Sequence, residues 1–139
     1  MDEKELIRRA VEARERAYAP YSKFAVGAAL LAADGRIFTG CNVENASYGL
    51  TVCAERVAVF KAVSEGAREF KAIAIACGKK PCTPCGACRQ VLYEFAPDIL
   101  VIMTDAEGKE VKKAYLRELL PIGFGPSSLE GSRGTPFKP

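Results

Sequence analysis

Two apolar runs, Lys71–Cys77 and Ile99–Met103, flank a stretch with a helical pattern. The first sets Ile73 and Ile75 among alanines, and the second is apolar throughout. Strands apolar on both faces belong inside a sheet that is covered on both sides. A helix between two such strands makes them parallel neighbours, because only a crossover brings the chain back to the same end of the sheet. This unit constrains the chain more than any other feature. It demands helices on the sheet faces, and so an α/β fold.

The remaining elements extend that unit. Glu3–Tyr18 carries Leu6, Ile7, Ala10, Val11, Ala17 and Tyr18 near helical spacing, and Pro20 ends it. Phe24–Leu31 and Arg36–Val43 flank Asp34-Gly35, a strong hairpin signal. A helix is predicted from about Cys53 to Glu65, capped by Thr51 and stopped by Gly66. Another opens with Pro84 as a first-turn proline and runs to about Phe95, before Pro97. A weaker strand follows at Glu110–Tyr115, then a short helical turn at Leu116–Leu120. The link Asp105–Lys109 is too short for a crossover, so the last two strands are expected to be antiparallel. The expectation is a three-layer α/β/α sandwich around a mixed five-stranded sheet. Residues 1–126 form one domain, and from Ser127 to Pro139 the Gly, Ser and Pro content predicts a loose tail.

Composition enters through one absence. Among 139 residues there is no histidine, which excludes serine–histidine and cysteine–histidine catalysis and any imidazole metal ligand. Six cysteines stand at 41, 53, 77, 82, 85 and 88. The first residues hold no apolar signal core, and no run is long enough to span a membrane. The expectation is therefore a cytoplasmic protein with reduced cysteines. A net charge of +3 is too mild to argue for a nucleic-acid groove.

Two segments bear the chemistry: Thr51-Val52-Cys53-Ala54-Glu55-Arg56 and Pro84-Cys85-Gly86-Ala87-Cys88-Arg89-Gln90. Each is predicted to open a helix, where free N–H groups and the helix dipole favour thiolate over thiol. Cys85 and Cys88 share a helix face. If the two helix starts meet, Cys53 completes a three-thiolate set and leaves a fourth tetrahedral position for water. Water on zinc ionises near neutral pH, and Glu55 stands two residues from Cys53 to move the proton. Three thiolates leave a net negative charge at a dication. Arg56, and also Arg89, are candidates to donate to the sulfurs and offset it.

The Cys-Ala-Glu and Pro-Cys-x-x-Cys pair resembles the zinc-dependent nucleoside deaminases, above all the small homotetrameric cytidine deaminases. In other zinc deaminases that signature opens with histidine; here Cys53 stands in its place, as in the tetrameric cytidine deaminases it resembles. The likeness extends over roughly residues 5 to 129. It includes Tyr21-Ser22-Lys23-Phe24-Ala25-Val26-Gly27-Ala28, the run from Gly40 to Gly49, and Leu119-Leu120-Pro121-Ile122-Gly123-Phe124.

The resemblance implies one zinc per subunit on Cys53, Cys85 and Cys88, with Glu55 as proton shuttle. It implies hydrolysis of cytidine, and of 2′-deoxycytidine, to uridine or deoxyuridine plus ammonia by zinc-bound hydroxide, as in pyrimidine salvage. Asn42 and Glu44 would bond the ribose hydroxyls, Phe24 would lie on the pyrimidine, and the Ala54 backbone would touch the base edge. Tyr48 and Phe124 would complete a neighbouring subunit's site in a homotetramer. The partners implied are a small nucleoside and copies of the same chain, with no nucleic acid and no membrane.

Plainer readings stand beside these. Pro-Cys-x-x-Cys alone also serves structural zinc knuckles and redox pairs. Cys82 could be a fourth, structural ligand, which would close the site. Cys41 and Cys77 read as small core residues. By type alone Asn42 and Glu44 are turn residues, and Phe24, Tyr48 and Phe124 are ordinary apolar side chains. A deaminase of a cytosine-nucleoside antibiotic and a structural zinc module are the competing functions. A polynucleotide deaminase fits poorly with the short Asp105–Lys109 link.

Overall fold

The computed structural model of the chain describes residues 1–130. Its elements run α1 (Glu3–Arg14), β1 (Gly27–Ala32), β2 (Ile37–Cys41), α2 (Ala54–Ser64), β3 (Phe70–Ala76) and α3 (Gly86–Phe95), then β4 (Leu100–Thr104), β5 (Val111–Tyr115), α4 (Leu116–Leu119) and α5 (Pro126–Glu130). A single 3₁₀ turn, Tyr48–Leu50, precedes α2. The five strands form one mixed sheet in the order β2-β1-β3-β4-β5. Helix α1 covers one face, and α2 and α3 cover the other.

Side-chain alternation divides the core. Ala72, Ala74 and Ala76 of β3 face Leu6 and Ala10 of α1, together with Ala29 and Ile102. Ile73 and Ile75 face Ala54, Ala58, Val59 and Ala62 of α2 and Leu92 of α3. Each fully buried Ile or Leu contributes about 1.5–3 kcal/mol relative to exposure. The alanine face lets α1 approach closely. A Cβ on Gly27 would lie 2.1 Å from the Ala10 carbonyl oxygen. On the opposite face a Cβ on Gly40 would lie 2.5 Å from the Ala54 carbonyl oxygen, so α2 crosses β2 in near-backbone contact.

The predicted βαβ unit is present, with β3 and β4 parallel from Ala72↔Leu100 to Ala76↔Thr104. The last two strands are antiparallel, as their short link requires. Strands β2 and β3 also run the same way, but they are not neighbours: β1 lies between them and pairs antiparallel with both. The reason is burial. Strand β1, Gly-Ala-Ala-Leu-Leu-Ala, is almost wholly buried and takes an interior place, so the connection through α2 steps over it.

Several local expectations shift. Helix α1 ends at Arg14 rather than Tyr18, because Tyr18 joins the sheet margin: its N–H donates to Asn42 O (2.9 Å) and its carbonyl accepts from Glu44 N (2.8 Å). Thr51 does not cap α2. Cys53 holds the cap position, and Thr51 Oγ1 accepts from Asn45 N at 3.2 Å. Pro84 lies outside α3, whose cap is Cys85. The tail predicted from Ser127 begins inside α5, and residues 131–139 lie outside the described residues.

The cysteines are not all reduced. Cys77 and Cys82 form a disulfide, their Cα atoms 6.1 Å apart. The turn through residues 78–81 folds the chain leaving β3 back on itself and brings the two within bonding reach. Cys77 is buried as expected, but as half of a bridge.

Candidate metal centre

Because β2 and β3 run in the same direction, the loops leaving their C-terminal ends emerge at one edge of the sheet. Ligand sites of open α/β sheets collect outside such strand ends. Here those loops deliver the N-termini of α2 and α3. Cys53 caps α2, Cys85 caps α3, and Cys88 sits in the first turn of α3. Cys53 Sγ lies 3.8 Å from Cys85 Sγ, and Cys85 Sγ lies 3.5 Å from Cys88 Sγ. All three sulfurs fall within 4.8 Å of one another.

The donor set fits zinc. Zn–S bonds of about 2.3 Å in a tetrahedron place sulfurs about 3.8 Å apart. Three thiolates satisfy a soft-ligand dication and leave one position free. Cys88 is buried, Cys53 is half-buried and Cys85 is exposed, so the cluster opens on the Cys85 side. Cys82, bonded to Cys77, is not a fourth thiolate.

Electrostatics favour ionisation at one sulfur. The Cys88 thiol donates to Cys53 and holds its pKa down at about 5, with Arg56 and Cys85 adding donors against the opposing effect of burial. The Cys88 thiol, donating to that anion and buried, is pushed well above its ordinary value. Arg56 Nη2 reaches Cys53 Sγ at 3.5 Å. Glu55, the second residue of α2, is only 4% exposed. Burial pushes its carboxyl above the usual carboxylate range, and the Cys53 anion adds to that. A carboxyl tuned upward beside a metal site is suited to take and return a proton.

The other site residues named from sequence do not all stand free. Asn42 is buried and uses both ends internally: Nδ2 donates to Phe24 O (2.8 Å) and Oδ1 accepts from Val26 N (2.9 Å). Glu44 Oε1 accepts from Tyr21 N (2.9 Å) and Ser22 N (3.1 Å), and Oε2 accepts from the Ser22 hydroxyl. Its carboxyl is held below the usual range, chiefly by Ser22. Glu44 lines a cavity of ≈ 330 Å³ with Tyr21, Ser22, Tyr48 and Thr51. Tyr48 is exposed, its ring centroid 6.0 Å from that of Tyr21. The Phe24 ring lies over Gly78, where a Cβ would come within 3.0 Å of it, at the end of β3. Ala54 is the first residue of α2, so its N–H has no acceptor within the helix. Phe124 is exposed on the segment between α4 and α5.

Arg89 departs from expectation. It gives the sulfurs no hydrogen bond: Nε donates to Pro84 O (2.7 Å) and Nη1 to Leu119 O (2.8 Å). Sequence reasoning also passed over Ser22 as a partner of Glu44. The signal was there in the run Tyr21-Ser22-Lys23-Phe24, since serine readily turns back on its own backbone, and Phe24 N donates to Ser22 Oγ at 3.0 Å. A cavity of ≈ 680 Å³ between α1, β2 and α2 is lined by none of the three thiols.

Residues 1–104 match the cytidine and deoxycytidylate deaminase zinc-binding region. A cytidine deaminase of Sporosarcina psychrophila is 50% identical over 131 residues, covering 93% of this chain and 96% of that protein. One from Halalkalibacterium halodurans is 53% identical over 126 residues, covering 89% and 95%. Among solved structures, cytidine deaminase from Burkholderia pseudomallei superposes with a TM-score of 0.85 at 52% identity, covering 89% of this chain and all of that one. The strand order and the helices on both faces are thus those of a known architecture.

Proposed function

This chain belongs to the zinc-binding cytidine and deoxycytidylate deaminase family, and from that membership we propose that it converts cytidine and 2′-deoxycytidine, with water, to uridine and deoxyuridine plus ammonia. The observation that carries the reading is the three-thiol cluster at two converging helix N-termini with a buried glutamate beside it. Cys53, Cys85 and Cys88 would hold one zinc ion per chain, which supplies Lewis acidity to water at the open position.

The chain's own groups do the rest. Glu55 takes a proton from the attacking water and delivers it to the pyrimidine ring nitrogen N3. Protonation of N3 makes C4 more electrophilic. After the C–O bond forms at C4, Glu55 carries the second proton to the departing amino group, and the C–N bond breaks to release ammonia. No histidine is needed for either transfer. The shifted carboxyl supports this role, since a proton shuttle must both gain and lose a proton near neutral pH. Arg56 lowers the excess negative charge of three thiolates through its bond to Cys53.

Substrate contacts follow the same reading. Phe24 lies on the pyrimidine and the Ala54 N–H meets the base edge. Asn42 and Glu44 face the ribose hydroxyls; Glu44 keeps lone pairs beyond its bonds to residues 21 and 22, whereas Asn42 acts mainly by shaping the loop that carries Phe24. Tyr48 and Phe124 reach a neighbouring subunit's site, and four chains form the working enzyme. Their exposure in the single chain supports this. We assign the catalytic unit to residues 1–126 and the setting to cytoplasmic pyrimidine salvage. No helix among the described residues is long and apolar enough to cross a membrane.

The test is direct. Zinc-loaded protein mixed with cytidine should lose cytidine absorbance and yield equal amounts of uridine and ammonia. Turnover of a cytosine-nucleoside antibiotic without turnover of cytidine would overturn the substrate assignment.

A further inference from the structure

We propose that Arg89 and Gln90 are positioning residues: they strap residues 119–125 onto α3, the helix bearing two of the three thiols, and so fix where Phe124 is presented to the neighbouring subunit's site. The proposal deepens the function above and rests on it for what Phe124 touches.

The segment has little regular structure of its own to hold it. It links α4 to α5, Ile122 has a φ of 52°, and Ile122 and Phe124 are 104% and 59% exposed. A β-branched residue in the left-handed region is strained and persists only where its surroundings enforce it. The enforcing contacts come from α3. One guanidinium, Arg89, bonds the carbonyl of Pro84, the residue before Cys85, and also the carbonyl of Leu119, the last residue of α4. Gln90 Nε2 donates to the Phe124 carbonyl at 2.8 Å.

Tyr93 completes the strap. A Cβ on Gly123 would come within 2.9 Å of its ring, and one on Gly125 within 3.0 Å. The chain on both sides of Phe124 therefore lies flat against Tyr93. Tyr93 lies four residues after Arg89 and three after Gln90, so it is a surface neighbour of both on α3. Cys88, one residue before Arg89, turns to the thiol cluster.

With its carbonyl tied and both neighbours held, Phe124 still leaves its ring exposed. That arrangement suits a side chain held in place to act on something outside its own packing. Arg89 also makes the approach to Cys85 and the start of the strap one connected unit. Its role is to join these two stretches rather than to neutralise sulfur.

Gln90→Glu tests the strap, because it keeps size and removes the donor to Phe124 O on an exposed side chain. Hydrogen exchange, zinc content and cytidine kinetics are measured on the full zinc-loaded enzyme. Zinc content should match the parent, and amides of residues 122–125 should exchange ~10-fold faster. KM for cytidine should rise ~5-fold with kcat within ~2-fold, and the KM effect should vanish in a Phe124→Ala background. Arg89→Lys reaches only one of its two carbonyls and should speed exchange around Leu119–Leu120.

Unchanged exchange in both variants overturns the strap, whatever the enzyme turns over. Faster exchange with an unchanged KM, or a KM effect that persists in full without Phe124, overturns its role in presentation. A parent enzyme that leaves cytidine untouched would instead sink the function above, and the exchange rates would still decide the strap.

Discussion

Cys53, Cys85 and Cys88 gather within 4.8 Å, Cys77 and Cys82 are bonded to each other, and Cys41 is free and half-buried. Denatured without reductant and alkylated, the chain should therefore show four reactive thiols; six would contradict the Cys77–Cys82 bond. Cys82→Ser should retain zinc, because Cys82 supplies no ligand, and loss of metal from that variant would contradict the three-thiol site. The gathering of these three thiols was legible in the sequence because each cysteine sits in a pattern that opens a helix, and helix starts are where thiolates are stabilised. The disulfide was not, since it depends on how residues 78–81 turn. The resemblance named Asn42 and Glu44, but their bonds to Phe24, Val26, Tyr21 and Ser22 belong to loop folding that no spacing encodes.

Elements place these residues, and two contacts show how. Gly40 lets the start of α2 lie against β2, and any side chain there meets backbone at Ala54 and Ala58. Gly40→Ala should cost about 1–3 kcal/mol of stability by overpacking and, by displacing the helix that carries Cys53, should weaken zinc binding. A thermal melt and a competitive zinc titration check both. Asp105 organises the β4–β5 link: Oδ1 accepts from Glu107 N (2.7 Å) and Lys109 N (3.2 Å), and Oδ2 from Glu110 N (2.7 Å).

Those bonds, led by Glu110, hold the Asp105 carboxyl below its ordinary value. A depressed folded-state pKa stabilises above the unfolded value and is lost as pH falls through the folded one. Asp105→Ala should therefore lower Tm at neutral pH. Its gap to the parent should close as pH drops below about 4, near the unfolded carboxyl value; a gap independent of pH would contradict this. Element order, strand direction in the βαβ unit and the final antiparallel pair were all readable from apolar runs and link length. The interior place of β1 was not, because alternation tells which strands are buried and leaves their neighbours open.

At the scale of the whole molecule, one chain leaves much apolar surface uncovered. Tyr48, Leu50 and Phe60 are more than half exposed. Val43, Val52, Val57 and Phe60 line a shallow cavity of ≈ 470 Å³. It is on this surface that the proposed tetramer would pack its copies. Sedimentation equilibrium should give a mass of four 15.0 kDa chains, and Phe60→Glu should shift it to smaller species; a monomeric parent would contradict the tetramer.

The missing histidine ties the scales together. On the proposed reaction it leaves the zinc to three thiols and both proton transfers to Glu55, and the fold brings these groups to one sheet edge. The most direct test compares the parent with Glu55→Gln at equal, measured zinc content, following cytidine loss by ultraviolet absorbance. The parent should turn over cytidine, and Glu55→Gln should keep its zinc and lose about 10²–10⁴-fold in kcat. A Glu55→Gln enzyme that deaminates cytidine at the parent's rate would contradict the account.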